Sequence, residues 1–312
     1  MDLLKSKVPD IILNKLNKLE ISSLESLLTT KQTDLEQKGL NFLEIEELRE
    51  AVSEILVSNR FHAVLEIPRW SKIRVGCKVI NDLLKGGIPI NGINEIYGPS
   101  GVGKTQFCLE LAIMTQFPLE IGGYNKNVLY ICTEEPFPSK RLNELVSFYP
   151  KKILDKPFKK LLSDGIYVEY IADFDQLRTT LTTKMHKLLS FTQIGLIIID
   201  SIAGIFRNYC EDINYISRKN DFKELVQIFN ELTQKHKIAV LCTNQVSDDL
   251  KTGKTIPALG LAWSNYITSR FLMTRYGMST VRNFEVIYSP ELAPKSCNFQ
   301  IYQSGIGSVD IT

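Results

Sequence analysis

The sequence lacks three features that would assign a protein class directly: a charge imbalance, clustered metal ligands and a long apolar run. Its 37 Lys and Arg nearly balance its 35 Asp and Glu, so the net charge of +2 does not by itself indicate a nucleic-acid partner. No apolar run approaches the roughly 18 residues of a membrane-spanning helix, and no secretory signal is visible. We therefore expect neither a membrane anchor nor secretion.

Cysteine and histidine are too scattered to form a metal site. The histidines His62, His186 and His236 share no ligand spacing, and no C-x-x-C pair occurs. Several cysteines lie inside apolar runs, which is typical of buried, reduced thiols in an intracellular protein. The six cysteines are Cys77, Cys108, Cys132, Cys210, Cys242 and Cys297.

The composition is that of a globular protein. The chain has 312 residues, of which 44% are apolar and 23% are charged. This length has room for one large domain and one small domain.

One stretch, Gly98 to Thr105, matches the phosphate-binding pattern G-x-x-x-x-G-K-[ST]. A strand pattern over 93–97 precedes it and a helix pattern over 104–117 follows, as this loop requires. Glycine lets the backbone N–H groups turn towards a phosphate, and the helix adds its positive N-terminal end. Lys104 would contact the β- and γ-phosphates, and the Thr105 hydroxyl would bind Mg²⁺. The sequence therefore predicts a site for ATP and Mg²⁺.

Beyond the loop, apolar runs alternate with helical patterns to near residue 243, and a β-rich tail follows. This alternation predicts an α/β fold with a mostly parallel sheet and helices on both faces. We predict strands over 93–97, 128–133, 166–170, 195–200 and 238–243, helices over 79–84, 104–117, 140–148, 174–189 and 220–236, and β-rich runs near 267–273, 284–288 and 297–302.

The predicted strands end in polar residues, and in parallel sheets the chemistry gathers at these carboxyl ends. Asp200 ends an apolar strand and is typical of the carboxylate that assists Mg²⁺. Glu134 and Glu135 follow strand 128–133, where one of them could activate the attacking water or both could be solvated. Gln245, after Asn244, could contact the γ-phosphate or satisfy a turn.

The first 57 residues predict a small helical domain, and residues 58–75 predict a linker. Helix-start patterns occur at 22–25 and 41–44. The acidic face of the second helix is either solvated or a protein contact. In the linker, Phe61, Val64 and Trp70 either dock on the large domain or insert into a partner.

Two stretches, 206–218 and 246–257, mix basic and aromatic residues. They are either contacts to a DNA backbone or ordinary exposed loops. The candidate DNA-binding residues are Arg207, Arg218, Lys251 and Lys254.

The order of these features resembles the RecA/RadA recombinase family over roughly residues 70–312. Within that family the chain is most similar to the eukaryotic recombinase paralogues. Further matching segments are Gly86 to Ile93, Lys140-Arg141-Leu142 and Pro257 to Trp263. The resemblance implies a RecA-like P-loop ATPase core over residues 76–312 behind a small helical N-terminal domain.

The resemblance also implies residue roles. Glu134 matches the glutamate that activates water, Gln245 the amide that senses the γ-phosphate, and Arg141 an arginine against the adenine. Residues 207–218 and 246–258 match two DNA-binding loops, and 61–64 match a subunit-joining F-x-x-A motif except for Val64. The implied nucleotide contacts are Gly98, Pro99, Ser100, Gly101, Val102, Gly103, Lys104, Thr105, Gln106, Arg141 and Asp200.

The function implied is that of an ATP-binding, DNA-dependent ATPase-type paralogue in homologous recombination and double-strand break repair. Such a protein would reside in the nucleus, join another paralogue and assist the strand-exchange filament, with its ATPase site completed by a partner subunit. The second loop is shorter than in strand-exchange recombinases, which argues against autonomous strand exchange. The alternatives are an autonomous recombinase and an ATP-locked scaffold that does not hydrolyse ATP.

Overall fold

The computed structural model divides the chain into two compact units, residues 1–69 and residues 70–312. The structure describes residues 4, 8–16, 24, 27, 30–37, 39–58, 71–148, 162–207, 215–248, 255–277 and 279–309. Phe61, Val64 and Trp70 of the predicted linker lie outside these residues, as do Cys210, Lys251 and Lys254. The predicted helix start at 22–25 also lies outside them, except for Leu24.

The described part of the first unit is helical. Its helices are α1 (Asp10–Leu16), α2 (Gln32–Gln37) and α3 (Phe42–Ser58). The predicted start at 41–44 is confirmed, because the Glu44 N–H donates to Asn41 Oδ1 at 2.9 Å and the Asn41 N–H donates to Glu44 Oε2 at 2.8 Å. The apolar stripe of α3 is buried through Ile45, Leu48 and Val52.

The second unit is built on a nine-stranded sheet with the order β13-β12-β11-β10-β3-β7-β6-β4-β5. The strands from β10 to β5 in this order are parallel, and β11 to β13 extend the sheet in antiparallel pairs. The sheet strands are β3 (Ile93–Tyr97), β4 (Asn127–Cys132), β5 (Ile166–Tyr170), β6 (Ile194–Asp200), β7 (Ala239–Asn244), β10 (Ser269–Arg275), β11 (Val281–Tyr288), β12 (Ser296–Tyr302) and β13 (Gly305–Ser308).

Both faces of the sheet are covered, so the predicted α/β architecture is confirmed. Val128 and Tyr130 of β4 face one apolar core, and Leu129 and Ile131 face the other. Successive side chains of a strand point to opposite faces, and both faces of β4 are buried. Residues 128–132 of the strand are therefore all apolar, which explains the continuous apolar run in the sequence. The helices are α4 (Lys78–Leu83), α5 (Lys104–Gln116), α6 (Ser139–Phe148), α7 (Phe174–Thr179), α8 (Met185–Leu189), α9 (Ile202–Phe206), α10 (Tyr215–His236) and α11 (Gly260–Ser264).

Four details differ from the predicted elements. A short strand, β1 (Lys72–Ile73), lies inside the predicted linker and pairs with β2 (Ile88–Pro89). The predicted loop 246–257 includes a hairpin of β8 (Val246–Asp248) and β9 (Thr255–Pro257). The predicted helix 174–189 contains π-helical turns over Thr180–Lys184. Helix α10 begins five residues before the predicted start, since no glycine or proline interrupts residues 215–220.

Two features are absent from the described residues. None of their helices is both long and apolar enough to cross a membrane. Their His, Cys, Asp and Glu side chains form no group of three that could hold a metal ion.

Candidate nucleotide-binding site

The predicted phosphate loop joins β3 to α5, and its backbone requires glycine at two points. A Cβ on Gly98 would lie 2.2 Å from the Met273 carbonyl oxygen. Gly103, the N-cap of α5, has a φ of 106°, which favours glycine. No side chain caps α5, so its first N–H groups are left for another acceptor.

Lys104 lies at the start of α5 and folds over the loop. Its Nζ donates to the carbonyl oxygens of Gly98 at 2.6 Å and Pro99 at 2.9 Å. Burial lowers the pKa of Lys104, and the nearby Asp200 carboxylate acts in the opposite direction. No carboxylate forms an ion pair with this ammonium within the described part of the chain. A half-buried cation without an acidic partner suits a phosphate ligand.

Asp200 ends β6 as predicted and accepts hydrogen bonds from three elements. Thr105 Oγ1 of α5 donates to its Oδ2 at 2.8 Å, and Tyr130 Oη of β4 donates to the same oxygen at 2.8 Å. Thr243 Oγ1 of β7 donates to Oδ1 at 2.6 Å. The structure therefore brings together the two predicted Mg²⁺ ligands, Thr105 and Asp200.

Glu134 follows β4 and is engaged by three side chains. Ser201 Oγ donates to its Oε2 at 2.7 Å. Gln245 Nε2 donates to Oε1 at 3.0 Å and to Oε2 at 2.8 Å. Arg207 forms an ion pair with Oε1 and also donates to Gln245 Oε1 at 3.3 Å. The predicted base and the predicted sensor amide are thus in direct contact.

These groups open onto one cavity of about 700 Å³. It lies at the carboxyl ends of β4, β6 and β7, where parallel sheets bind their ligands. Of the predicted nucleotide and catalytic residues, those in the lining are Ser100, Gly101, Gly103, Lys104, Thr105, Gln106, Glu134, Asp200 and Gln245. Gly98, Pro99 and Val102 belong to the same loop but not to this lining.

Arg141, the predicted adenine neighbour, lies on α6 beside this cavity. Its Nε donates to Gln106 Oε1 at 2.8 Å, and Gln106 lines the cavity. Its Nη atoms donate to the carbonyl oxygens of Gln303 and Tyr302, both at 2.9 Å. The contact of Arg141 with an adenine stays a prediction.

The two described candidates for DNA binding, Arg207 and Arg218, make different contacts. Arg207 pairs with Glu134, whereas Arg218 lies on α10 with its guanidinium 5.4 Å from the centroid of the Phe222 ring. Lys251 and Lys254 lie outside the described residues. A DNA contact by any of the four stays a prediction.

Sequence patterns missed four residues and one ion pair at this site. Tyr130 and Thr243 bind Asp200, and Ser201 binds Glu134. The ion pair between Arg207 and Glu134 was also missed. Arg282 of β11 lines the cavity, and burial lowers its pKa. Of these residues, only Ser201 had a signal in the sequence, because it directly follows the predicted Asp200.

The sequence of the chain matches one known protein family over most of its length. The sequence profile of the Rad51 family matches residues 69–309.

The chain belongs to the Rad51 family.

Three relatives illustrate its position within the Rad51 family. The chain is 30% identical to mouse "DNA repair protein XRCC3", and the alignment covers 92% of each chain. It is 29% identical to "DNA repair protein rhp57" of Schizosaccharomyces pombe, with 87% of this chain and 88% of the relative aligned. It is 28% identical to "Meiotic recombination protein DMC1" of Saccharomyces cerevisiae, with 94% and 89% aligned.

The site of this Rad51-family chain fits a nucleotide with a divalent cation. A Cβ on Gly101 would meet no atom within 4 Å, so the loop leaves open space above its backbone. Lys104 offers a cation, and Thr105 with Asp200 offers the oxygen ligands that Mg²⁺ prefers. The Lys104 ammonium therefore suits the phosphates, and the oxygens of Thr105 and Asp200 suit the divalent cation.

Proposed function

We propose that this chain is an ATP-binding recombinase paralogue acting in homologous recombination and DNA double-strand break repair. The observation that carries the proposal is the convergence of Lys104, Thr105, Asp200, Glu134 and Gln245 on one cavity. The family and the relatives named for DNA repair and meiotic recombination support the biological role.

In this proposal the loop and α5 hold the nucleotide. The N–H groups at the start of α5 and the Lys104 ammonium bind the β- and γ-phosphates. Thr105 and Asp200 hold Mg²⁺, which supplies charge neutralisation at the phosphates. The threonine that already bonds to Asp200 needs little movement to share a cation with it. Arg141, fixed by the 302–303 carbonyls, lies against the adenine.

Glu134 orients the attacking water and accepts its proton, and Gln245 reports the γ-phosphate to the loops. Both oxygens of Glu134 are occupied by donors in this structure. A carboxylate with occupied lone pairs accepts a proton poorly. Turnover by the isolated chain is therefore slow, and a partner subunit completes the ATPase site.

The partners proposed are DNA, another recombinase paralogue and the strand-exchange filament, in the nucleus. The family and the relatives named for repair support these partners. The chain would assist the filament and not form one alone, because its resemblance to the family implies a second loop shorter than in strand-exchange recombinases.

A non-hydrolysing scaffold is the second candidate, and the occupied Glu134 favours it. Replacing Glu134 by Gln removes the base but keeps its shape, whereas replacing Lys104 by Ala removes the phosphate cation. Full repair by Glu134→Gln together with no repair by Lys104→Ala would favour the scaffold. Loss of repair by both variants would favour an ATPase.

The direct test of the nucleotide site is the affinity of the purified chain for a fluorescent ATP analogue with Mg²⁺. Lys104→Ala removes a charged donor, so we expect the affinity to fall roughly 10- to 100-fold. Lys187→Ala, at an exposed position of α8 outside the cavity lining, makes the same charge change and is the matched control. An unchanged affinity for Lys104→Ala would contradict the assignment of the phosphate loop.

A further inference from the structure

Helix α9 presents a donor to Glu134 from each of its ends. Ser201 caps its N-terminus and donates to Glu134, and Arg207 follows its last residue and pairs with the same carboxylate. The helix packs closely on this region, because a Cβ on Gly204 would lie 2.8 Å from Glu134 Cγ. The short helix therefore fixes where both donors meet the carboxylate.

The three donors to Glu134 differ in charge and accessibility. Ser201 and Gln245 are neutral, and Ser201 is buried. The Arg207 side chain is 57% exposed, whereas that of Glu134 is 22% exposed. An anion arriving from solvent can therefore reach the guanidinium while it is paired. A guanidinium binds phosphate oxygens through two parallel N–H donors, so a phosphate is a strong competitor for it.

We propose that Arg207 is a positioning residue for which Glu134 and a DNA phosphate compete, so that DNA binding releases Glu134. The proposal rests on the proposed function, because it requires that the chain binds DNA. Among the described residues, release leaves Glu134 with the neutral donors Ser201 and Gln245. Oε1 then has a lone pair available for the proton of a water molecule.

Competition for one side chain is reciprocal. If DNA weakens the pair of Arg207 with Glu134, loss of the Glu134 charge must strengthen DNA binding by the same coupling. This effect needs neither ATP nor hydrolysis, so it can be measured even if the chain is a non-hydrolysing scaffold.

The experiment measures the affinity of the full chain for a fluorescein-labelled oligothymidylate, without nucleotide, over a series of salt concentrations. The variants are Glu134→Gln, Arg207→Gln and the double variant. Glu135→Gln removes the same charge one residue away and is the matched control. We expect Glu134→Gln to raise the affinity roughly two- to five-fold, as for a partly exposed ion pair. Arg207→Gln should lower the affinity and reduce the salt slope by about 1.

The double variant decides the result. We expect it to bind as weakly as Arg207→Gln, since Glu134 acts only through Arg207. An unchanged affinity for Glu134→Gln, an equal gain for Glu135→Gln, or a gain that persists in the double variant would each overturn the proposal. The proposal would also be overturned if Glu134→Gln raised the affinity for ATP and not the affinity for the oligonucleotide. The phosphate that competes for Arg207 would then be that of the nucleotide.

The failure of the proposed function has a different signature. If the wild-type chain binds no oligonucleotide, alone or with a Rad51-family partner, DNA binding and the competition both fail. If the wild-type chain binds DNA and Glu134→Gln changes nothing, only the competition fails.

Discussion

At the scale of single residues, the carboxyl group of Glu110 is buried, and burial disfavours its charged form. It lies on α5, is 3% exposed, and accepts a hydrogen bond from the Ile306 N–H. It also lines a second cavity, of about 600 Å³, with Arg74 and Phe148. Burial raises the pKa of Glu110 from 4.5 to about 7, and the Ile306 N–H opposes this rise.

The raised pKa of Glu110 predicts a pH-dependent stability. Between pH 4.5 and about 7 the folded chain binds a proton at Glu110 more tightly than the unfolded chain. This tighter proton binding stabilises the folded chain fully below pH 4.5, and the stabilisation is lost as the pH rises to about 7. The free energy of unfolding falls by roughly 3 kcal/mol over this range because of Glu110. Glu110→Gln keeps the acceptor without the charge. We expect it to exceed the wild type in stability most strongly at pH 8.

Urea unfolding of both chains from pH 4 to pH 8 measures this difference. Trp263 is buried in the unit 70–312, so its fluorescence reports the unfolding of that unit. Glu120→Gln, at an exposed position of the same cavity, is the control and should show no such trend. A constant difference between Glu110→Gln and the wild type would contradict the prediction.

At the scale of elements, a buried ion pair links β3 and β10. Arg270 Nε donates to Glu95 Oε2 at 2.5 Å, and both residues are buried. Trp263 Nε1 of α11 and Asn244 Nδ2 of β7 donate to Glu95 Oε1 at 2.8 Å and 2.9 Å. The Glu95 carboxylate on β3 therefore joins its own strand to β10, α11 and β7.

Breaking this pair from one side should destabilise the second unit strongly. Arg270→Met leaves the Glu95 charge buried without its cation, and we expect a loss of roughly 3–5 kcal/mol in the free energy of unfolding. The double variant Glu95→Gln, Arg270→Met removes both charges and should recover part of this loss. Arg178→Met breaks an exposed pair with Asp175 and should lose less than about 1 kcal/mol.

Urea unfolding followed by tryptophan fluorescence also measures these variants. Equal losses for Arg270→Met and Arg178→Met would show that the buried pair does not stabilise the unit. A double variant less stable than Arg270→Met would show that the remaining charge is not the cause of the loss.

At the scale of the whole molecule, the proposed function predicts an assembly of unlike chains. We expect the chain with a Rad51-family paralogue from the same organism to form a small heteromer of defined mass, stabilised by Mg·ATP. Bound ATP stabilises an interface by mass action if the assembled form binds it more tightly. Lys104→Ala should remove this stabilisation.

Mass measurement of the chain alone and with the partner, each with and without Mg·ATP, tests this expectation. Arg178→Met again serves as a control, since the Arg178 side chain is partly exposed and lies outside the lining of the nucleotide cavity. Long polymers of this chain alone on DNA would contradict the paralogue role and favour the autonomous recombinase.

The sequence by itself determined the phosphate loop, the sheet strands and the residues at their carboxyl ends. The loop is a contiguous motif, and a strand covered on both faces is visible as an apolar run followed by Asp200, Asn244 or Glu134. Because parallel strands share one edge, the sequence also predicted that these polar ends would gather.

Only the tertiary structure decided which side chains bind one another there. Glu95 and Arg270 are separated by 175 residues, and Arg207 and Glu134 by 73. Such pairs depend on strand order and on where a short helix ends, and local periodicity contains neither. Sequence reasoning therefore assigned Arg207 to DNA through its loop, whereas its ion pair with Glu134 arises because β4 and β6 are neighbours in the sheet.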